Sequence, residues 1–501
     1  MDQIVRERKP AVVGHAEETH PIVIIGCGFG GIAMAIELKK HGLNDFVILE
    51  RAGDIGGTWR DNTYPGAACD IVSRLYSFSY DQKYEWSQAF APQREIWDYQ
   101  LKVVERHGIR PHVRFNIEVA DAQFDEKSAT WCVTTTKGAR FRTPILISAV
   151  GLFSHAHIPD IPGRHEFKGE SFHSSNWNHE FPLEGKTVAV IGNGASATQF
   201  VPQIAPKVGK LDLYQRSPQY VMPKAIFPGA SEFDAWLQKR RWLRPLARMK
   251  VYLTFERYTL RRRNAKLRAK GEARFRALLE RKVPDPGLRK KLTPNYPIGC
   301  KRQIVSDLWY DAVTRPNVEV INAPVARITA DGIVTSDGTA RKIDAIIYGT
   351  GFTTTAYLTP MKIKGLAGRD LNEAWRNGAE AYLGITVTGF PNFFMLYGPN
   401  TNGPSSVIFI LECQSRYIVS AIRTLQKKRA RFMNVRADRQ SEFNTEIQER
   451  LSTTVWARAD CHTYFKMESG KITTNYPGIG TEYLWRTWAV RPRDFEFAGR
   501  L

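Results

Sequence analysis

Hydrophobic and polar positions follow one another along the chain in two similar strand–turn–helix units. Each unit starts with a short apolar run rich in β-branched residues, passes through a glycine-rich turn into a helical stretch, and ends in a second apolar run. The predicted elements are strand 21–25, helix 32–40 and strand 46–49, then strand 187–191, helix 197–204 and strand 211–214. This order is that of a nucleotide-binding βαβ unit, so the pattern indicates an internal duplication.

The rest of the chain extends both units and adds a long helical insertion to the second. A basic helical stretch interrupted by proline and glycine runs from about residue 217 to 299, and strand patterns resume at 318–321, 343–348 and 392–396 before a helix at 407–427. Because 501 residues exceed one ordinary core, we predict an α/β protein with two Rossmann-like dinucleotide-binding domains. The predicted parts are residues 1–155, residues 156–380 with a helical insertion at about 220–297, and residues 381–501, which return to the first domain.

The first glycine turn carries the residue types that bind a pyrophosphate. Gly26, Gly28 and Gly31 form a GxGxxG motif, in which backbone N–H groups approach a pyrophosphate at the positive end of the following helix. Glu50 stands 19 residues after Gly31 at the end of the second strand, where an acid binds the ribose hydroxyls. The glycines alone are weak evidence, but with the strand, the helix and the acid they strongly favour a dinucleotide site.

The second glycine turn differs from the first in the residue that ends its second strand. Gly192, Gly194 and Ala197 repeat the motif around Ala195 and Ser196, but Gln215-Arg216 stands where an acid would favour NAD. A guanidinium at this place accommodates the 2′-phosphate of NADP. We therefore predict NADP at the second unit, with a surface arginine as the other interpretation of Arg216.

Two further segments carry neither a metal pattern nor a catalytic triad. Gly56-Gly57-Thr58-Trp59 precedes Tyr64-Pro65-Gly66 and Asp70, which suggests a loop folded closely against a flat ligand. Core packing is the other interpretation of Trp59, since most aromatic side chains serve packing. The second segment runs from Phe167 to Trp177, and its His173, taken alone, fits a hydrogen-bonded structural histidine better than a catalyst.

Taken together, these segments resemble the type I Baeyer–Villiger monooxygenases, within the wider group of flavin-containing monooxygenases. Members of the family carry two glycine motifs flanking a segment of the form FxGxxxHxxxW, which Phe167, Gly169, His173 and Trp177 match. The resemblance covers residues from about 20 to about 490, and it departs from the family at Asn178, where proline or aspartate is usual. A second signature, GGxWxxxxYPGxxxD, is matched by Gly56, Gly57, Trp59, Tyr64, Pro65, Gly66 and Asp70.

The resemblance implies an enzyme that binds FAD in the first fold and NADPH in the second. Reduced flavin would take up O2 as a 4a-peroxyflavin, which attacks a ketone and inserts one oxygen atom beside the carbonyl to give an ester or lactone. The implied FAD-binding residues, besides the three glycines and Glu50, are Thr58, Trp59, Asp70 and Tyr76. The implied NADP-binding residues are Gly192, Gly194, Ala195, Ser196, Gln215, Arg216 and Lys301.

The resemblance also implies the catalytic pair. The family places an arginine in a Lys-Arg pair just after the helical insertion, and here that pair is Lys301-Arg302. Arg302 is then expected to stabilise the peroxyflavin and the adduct, because a guanidinium stays protonated at any working pH. Asp70 is its expected partner. His173 and Trp177 are expected to govern domain rotation and the position of NADP.

Most of the net charge of +21 lies in the predicted insertion, where residues 239–291 contain 20 Lys and Arg against four acids. A basic amphipathic helix there either packs its apolar side onto its own domain, which we favour, or associates weakly with an anionic membrane surface. Nucleic acid is not predicted as a partner, because no recognition module accompanies the charge. The residues at near-helical spacing are Leu246, Met249, Leu253 and Leu260, with Arg248, Lys250, Arg257, Arg261 and Arg262 between them.

The cysteines narrow the class of protein further, since they lie far apart and form no CxxC pair. This pattern argues against a disulfide framework, a structural zinc site and a flavin disulfide reductase, and no metal is predicted. The polar first 20 residues and the lack of long apolar runs predict a cytoplasmic protein without a signal peptide or membrane helix. The six cysteines are Cys27, Cys69, Cys132, Cys300, Cys413 and Cys461.

Oxygenation of a small-molecule ketone by O2 is the predicted activity, and two alternatives remain open. One is a flavin monooxygenase that acts mainly on sulfides or amines, which Trp177 and the segment 64–70 disfavour. The other is an NADPH oxidase-like flavoprotein that mainly releases peroxide, which Arg302 and Asp70 disfavour. The loops that select the ketone are expected around residues 400–406 and 463–480.

Overall fold

The computed structural model describes residues 17–83, 85–226, 236, 240–261, 264–403, 405–458, 460–461 and 463–500. Most of the polar N-terminal segment, and Lys239 and Arg262 of the basic stretch, lie outside these described residues. None of the described helices is long and apolar enough to cross a membrane.

The regular elements alternate between strands and helices along most of the chain. The strands are β1 (Glu18–Thr19), β2 (Ile22–Ile25), β3 (Val47–Leu49), β4 (Val113–Arg114), β5 (Val119–Asp125), β6 (Thr130–Thr135), β7 (Arg140–Thr143), β8 (Ile145–Ser148), β9 (Glu170–His173), β10 (Thr187–Ile191), β11 (Lys210–Tyr214), β12 (Val221–Met222), β13 (Ile304–Val305), β14 (Val318–Ile321), β15 (Val325–Thr329), β16 (Gly332–Thr335), β17 (Ala340–Lys342), β18 (Ala345–Tyr348), β19 (Lys362–Lys364), β20 (Phe393–Met395), β21 (Ala430–Val435) and β22 (Phe495–Arg500). The helices are α1 (Phe29–Lys40), α2 (Thr58–Asp61), α3 (Gln93–Arg106), α4 (Ala195–Ile204), α5 (Arg244–Arg261), α6 (Ala265–Lys282), α7 (Pro286–Leu292), α8 (Trp309–Val313), α9 (Leu371–Ala374), α10 (Val407–Lys428), α11 (Ala437–Ser452) and α12 (Gly480–Arg486).

The first glycine turn belongs to a parallel sheet with the strand order β20-β8-β2-β3-β4. All four residues of β2 are apolar and buried, as expected for a strand covered on both faces. α1 packs against α10, so the C-terminal part of the chain supplies both a strand and a helix to this body. A second sheet, β1-β7-β6-β5-β19, packs beside it, with Trp131 and Phe393 fully buried between them.

The second glycine turn belongs to another parallel sheet, with the order β14-β11-β10-β18-β9. β10, α4 and β11 form its βαβ unit, as the sequence predicts. Both glycine-turn helices begin earlier than expected, α1 at Phe29 and α4 at Ala195. The reason is that Gly28 and Gly194 are themselves the extended N-cap residues, so each turn leads directly into its helix.

The chain returns to the first body ahead of the predicted boundary at residue 381. β19 pairs in parallel with β5, and Leu371 of α9 is buried in the same core as Trp131. These short elements carry no glycine motif, so the sequence pattern did not separate them from the second unit. The boundary at residue 155 and the limits of the insertion stay predictions.

The insertion is helical, as predicted, but its apolar stripe does not pack onto the protein. Leu246, Met249, Leu253 and Leu260 of α5 are between 48% and 63% exposed. The favoured interpretation of these four side chains is therefore wrong. The inner face of α5 is formed instead by other residues, among them Ala247, Val251 and Phe255, and helical spacing alone did not show which apolar face is covered.

A disulfide joins Cys300 to Cys461, with a Cα–Cα distance of 5.5 Å. The cysteine spacing argued against a disulfide framework, and it did not predict this single bond. The two residues are 161 positions apart, and only the fold brings them together, so their spacing in sequence carried no signal. The bond ties the segment just before Lys301 to the C-terminal part of the chain. Cys27, Cys69, Cys132 and Cys413 are free thiols.

Candidate active site in the cleft between the two nucleotide units

A cleft of about 2150 Å³ runs between the two nucleotide units. Both glycine turns, the segment from Gly56 to Ile71 and the Lys301-Arg302 pair contribute to its walls. The C-terminal part closes it with Tyr397, Tyr464 and their neighbours. Most of the residues predicted to bind cofactors therefore meet in one place, although they come from distant parts of the sequence.

At the first glycine turn, the backbone packs too closely for side chains. A Cβ on Gly31 would lie 2.1 Å from the carbonyl oxygen of Gly26, so this position requires glycine. Gly26 and Gly28 line the cleft, while Gly31 lies behind them and brings α1 close to the strand. Gly57 in turn packs against Gly28, and this contact places Thr58 and Trp59 beside the turn.

Glu50 is buried at the end of β3 and is held by donors on three sides. Its Oε2 accepts from the N–H of Cys27 at 2.8 Å. Its Oε1 accepts from the N–H of Ala52 at 3.0 Å and from Arg60 at 3.1 Å. Sequence reasoning missed Arg60, which lies next to Trp59 in the signature segment and also pairs with Asp61 at 2.7 Å. Glu50, the acid predicted to bind the ribose hydroxyls, is thus held in one position in the cleft wall.

Trp59 and Tyr76 form one unit in the same wall. The indole Nε1 of Trp59 donates to the hydroxyl of Tyr76 at 3.0 Å, and the two rings meet edge-on with centroids 5.6 Å apart. Burial raises the pKa of Tyr76 well above its ordinary value, so its hydroxyl stays protonated. Trp59 therefore lines the cleft and also packs against the core of the first body, so the two interpretations of this residue do not exclude each other.

The Tyr64-Pro65-Gly66 part of the signature packs against the second nucleotide unit. The hydroxyl of Tyr64 donates to Gln199 Oε1 at 2.9 Å, and Gln199 Nε2 donates to the carbonyl of Ala68 at 2.9 Å. Gly66 has φ +80°, and a Cβ there would lie 2.7 Å from the carbonyl oxygen of Gln199. Tyr64 and Gly66 therefore contact α4, while Tyr64 also lines the cleft, and the predicted contact of this loop with a flat ligand stays a prediction. Sequence reasoning missed Gln199, because nothing local marks a helix residue as a partner of a loop 131 residues earlier.

Asp70, at the end of this loop, forms a bidentate ion pair with Arg302. Nε and Nη2 of Arg302 each donate to a different carboxylate oxygen at 2.6 Å. Arg302 is surrounded by protein, yet 38% of its side chain borders the cleft. The charge of Asp70 raises the pKa of Arg302 further, so the guanidinium is permanently charged. The predicted pairing of these two residues is confirmed.

Two tyrosines that sequence reasoning did not single out stand around the pair. Tyr397 and Tyr464 both lie close enough to Arg302 to interact with its charge. Desolvation by the surrounding protein raises the pKa of Tyr464 to about 12 and that of Tyr397 as well, so both hydroxyls are neutral, although 46% of Tyr464 is exposed. Tyr397 donates to Asn402 at 2.7 Å, within the loop region expected to select the ketone.

Three residues predicted at the NADP site differ in how much room they leave for a ligand. Gln215 is buried and accepts from Asn193 at 2.6 Å while donating to the Lys291 carbonyl at 2.9 Å and to Asn322 at 3.0 Å. Arg216 is exposed at the cleft, where Gly192, Gly194, Ala195 and Ser196 also lie. The ammonium group of Lys301 donates to Ser217 and lies 4.6 Å from the ring centre of Tyr296. Burial and the nearby charge of Arg216 lower the pKa of Lys301 to about 8.

The segment from Phe167 to Trp177 does not line the cleft. Trp177 packs against Phe172 and against Phe200 of α4, each with ring centroids 5.2 Å apart. His173 ends β9, where its Nδ1 accepts from the N–H of Ser175 at 3.1 Å and its ring meets Phe352 edge-on. Burial lowers the pKa of His173, which favours the neutral ring. Phe167 and Gly169 pack together, and a Cβ on Gly169 would lie 2.5 Å from the Asp344 carbonyl oxygen.

Comparison with known proteins identifies the family that shares this arrangement. A Baeyer–Villiger monooxygenase of Streptomyces coelicolor is 39% identical over 489 residues, which cover 95% of this chain and 92% of that protein. The chain belongs to the Baeyer–Villiger monooxygenases. A sequence profile described as pyridine nucleotide-disulphide oxidoreductase also matches residues 23–222, the region of the two glycine turns.

Solved structures of Baeyer–Villiger monooxygenases share the whole architecture. The closed crystal structure of cyclohexanone monooxygenase has a TM-score of 0.85 and 28% identity, with 97% of this chain and 100% of that chain covered. The OTEMO complex with FAD and NADP has a TM-score of 0.85 and 27% identity, with 96% and 100% covered. The predicted family, the two-unit fold, the use of FAD and NADPH and the Baeyer–Villiger oxygenation are thereby confirmed.

Proposed function

We propose that Arg302 stabilises the negative charge that develops where oxygen is transferred to the ketone, and that Asp70 holds Arg302 in place. The observation that supports this is the pair of 2.6 Å hydrogen bonds between the two groups. These bonds fix the plane of the guanidinium, and its other N–H donors remain available to a ligand in the cleft. A cation that is already oriented needs no reorganisation during the reaction, which is how such groups lower a barrier.

We propose that FAD lies along the first glycine turn and the segment from Gly56 to Trp59. Bound FAD supplies the activation of O2 after its reduction by NADPH, and the chain supplies the binding surface. The close backbone packing around Gly26 and Gly31 and the start of α1 fit a pyrophosphate. Oε2 of Glu50 accepts a single hydrogen bond and so keeps a lone pair, which we assign to a ribose hydroxyl.

We propose that NADPH lies along the second glycine turn, with its 2′-phosphate between Arg216 and Lys301. Both side chains reach the cleft at the end of β11, and the repulsion between their charges is relieved when a phosphate lies between them. Gln215 is engaged with three protein groups, so its proposed part is to hold the wall behind Arg216.

We propose that His173 and Trp177 position the second unit relative to the first. Support comes from Trp177, which packs on the helix that carries Ser196, and from His173, whose neutral and buried ring is unsuited to acid–base chemistry at the cleft. Phe167 and Gly169 keep this connector close to the second sheet.

The division into residues 1–155, 156–380 and 381–501 stays a proposal. Its second boundary, at residue 381, is moved to a position before β19, because β19 pairs with β5 of the first body. A cytoplasmic location also stays a proposal, and the Cys300–Cys461 bond removes the support that the separated cysteines gave to it. Weak contact of residues 239–291 with a membrane surface is likewise a proposal, supported by the charge of that stretch.

The experiment that tests the proposed activity is one incubation of the purified holoenzyme with NADPH, O2 and a panel of ketones, sulfides and amines. Mass spectrometry of the products then separates the outcomes. Esters or lactones from a ketone support the proposal. Sulfoxides or N-oxides alone would replace it by the alternative oxygenase, and peroxide without any oxygenated product would replace it by an oxidase.

A further inference from the structure

The outer face of α5 presents an apolar stripe to solvent. Leu246, Met249, Leu253 and Leu260 recur at helical spacing, and about half or more of each side chain is exposed. Trp242, two residues before the helix, is 75% exposed. Isolated exposed leucines are ordinary, but a row of four ending at an exposed tryptophan marks an interaction surface.

The exposed charged residues of α5 all carry a positive charge. Arg257 lies four residues after Leu253 and three before Leu260, and Arg261 follows one turn later, so both exposed guanidinium groups border the stripe. The single acid of α5 is Glu256, and it is buried, accepting from the N–H groups of Gly480 at 2.8 Å and Thr481 at 3.1 Å. A surface of leucines and a tryptophan, on a helix whose exposed charged residues are all cations, is complementary to lipid with anionic headgroups.

The inner face of α5 is held in place and forms part of the cleft. Arg248 donates to the Ser77 carbonyl at 3.2 Å, and Tyr258 donates to Gln303, the residue after Arg302. Phe255, Tyr258 and Thr259 line the cleft. These contacts fix the rotation of the helix, so one helix separates the cleft from the exposed stripe.

We propose that the outer face of α5, with Trp242, docks on an anionic bilayer, and that the ketone is an apolar one taken from that bilayer. The substrate half of this inference rests on the proposed ketone oxygenation. A bilayer is favoured over a second copy of the chain, because two faces of the same positive sign repel each other. Nucleic acid offers nothing for the leucine stripe to bury against.

Vesicle flotation with the full-length holoenzyme tests whether the outer face of α5 binds an anionic bilayer. The wild type is expected to float with vesicles rich in phosphatidylserine, to float much less with pure phosphatidylcholine, and to be released by salt. The double variant Leu246→Ser, Leu253→Ser should lower the vesicle partition coefficient by about 10-fold or more, because two leucine side chains no longer enter the lipid. Trp485→Ser is the matched control, since Trp485 of α12 is 76% exposed outside the stripe, and it should float as the wild type does.

A second variant guards against a folding artefact. Arg257→Glu with Arg261→Glu leaves the stripe intact and should lose binding to anionic vesicles only. Equal flotation of the wild type and both double variants would overturn the docking surface, and so would equal binding to neutral and anionic vesicles. Dimers or nucleic-acid complexes that disappear in the serine variant would overturn the lipid as the occupant.

Rates of product formation then test whether the ketone is taken from the bilayer, and they test this separately from the proposed function. With cyclohexanone in solution, the wild type and the serine variant should form lactone at equal rates. With a long-chain ketone dissolved in anionic vesicles, the serine variant should be about 10-fold slower at limiting vesicle concentration. Equal rates in vesicles would overturn the delivery route, whereas absence of product from either ketone would instead contradict the proposed function.

Discussion

Replacing Asp70 by asparagine removes the negative charge that faces Arg302, while the side chain keeps nearly the same shape. Two charge-assisted hydrogen bonds of 2.6 Å are converted to bonds with a neutral amide, and one of them is lost because an amide offers a single acceptor oxygen. Charge-assisted bonds contribute about 1.5–3 kcal/mol each, but Arg302 borders a water-accessible cleft over 38% of its side chain, so we take about 2 kcal/mol for the whole change. That free energy corresponds to roughly a 30-fold lower rate of oxygen transfer.

The assay follows the two half-reactions of the Asp70→Asn variant separately by stopped flow. Flavin reduction by NADPH is monitored without oxygen, and ester or lactone formation is monitored after oxygen is admitted. Both are expected to slow, the second by roughly 30-fold, because Arg302 loses its fixed orientation. Asp98→Asn is the control, since Asp98 belongs to an exposed pair with Arg94 on α3 and should change neither rate. Wild-type rates in both half-reactions of Asp70→Asn would refute the role of the pair.

Three further predictions concern the cofactor sites. Arg216→Ala should raise the Michaelis constant for NADPH by about 10-fold and leave that for NADH almost unchanged, because only NADPH carries the 2′-phosphate; equal effects on both would contradict the phosphate contact. Because the pKa of Lys301 is lowered to about 8, its ammonium is charged below that pH and neutral above it, so kcat/KM for NADPH should fall as the pH rises through about 8. Lys301→Arg should remove this fall, since arginine stays charged, and a fall of unchanged size would argue against Lys301. Gly31→Ala should give protein with little bound flavin by absorbance, because its Cβ would meet the Gly26 carbonyl oxygen at 2.1 Å; normal flavin content would show that the turn does not hold the cofactor.

The elements that carry the cofactor sites could be predicted from the sequence, because their signals are local. A buried β-branched run, a glycine turn and a charged strand end all lie within about 30 residues of one another in a βαβ unit. The Asp70–Arg302 contact spans 232 residues, and it could be predicted only because both residues lie in motifs of a known family. Arg60 occupies a variable position of the signature segment and Gln199 belongs to no motif, so both were missed, although both hold predicted site residues in place.

The errors share one physical origin: each depends on a contact between parts of the chain that are far apart in sequence. The spacing of Leu246 and Leu253 predicted an amphipathic helix but not the side on which α5 is covered. Cys300 and Cys461 are brought together by the fold across 161 residues, which no local pattern records. The early return of the chain at β19 depends on its pairing with β5. A strand of three residues is too short for its sequence pattern to predict that pairing.

Oxygen transfer is expected to depend on Arg302 much more strongly than flavin reduction does. A single-turnover experiment on Arg302→Ala tests this expectation most directly, with flavin reduction by NADPH measured first and the yield of ester or lactone measured after oxygen is admitted. Flavin reduction is expected to remain measurable, while the oxygenated product is lost and peroxide is released in its place. A wild-type yield of ester or lactone from Arg302→Ala would contradict this expectation.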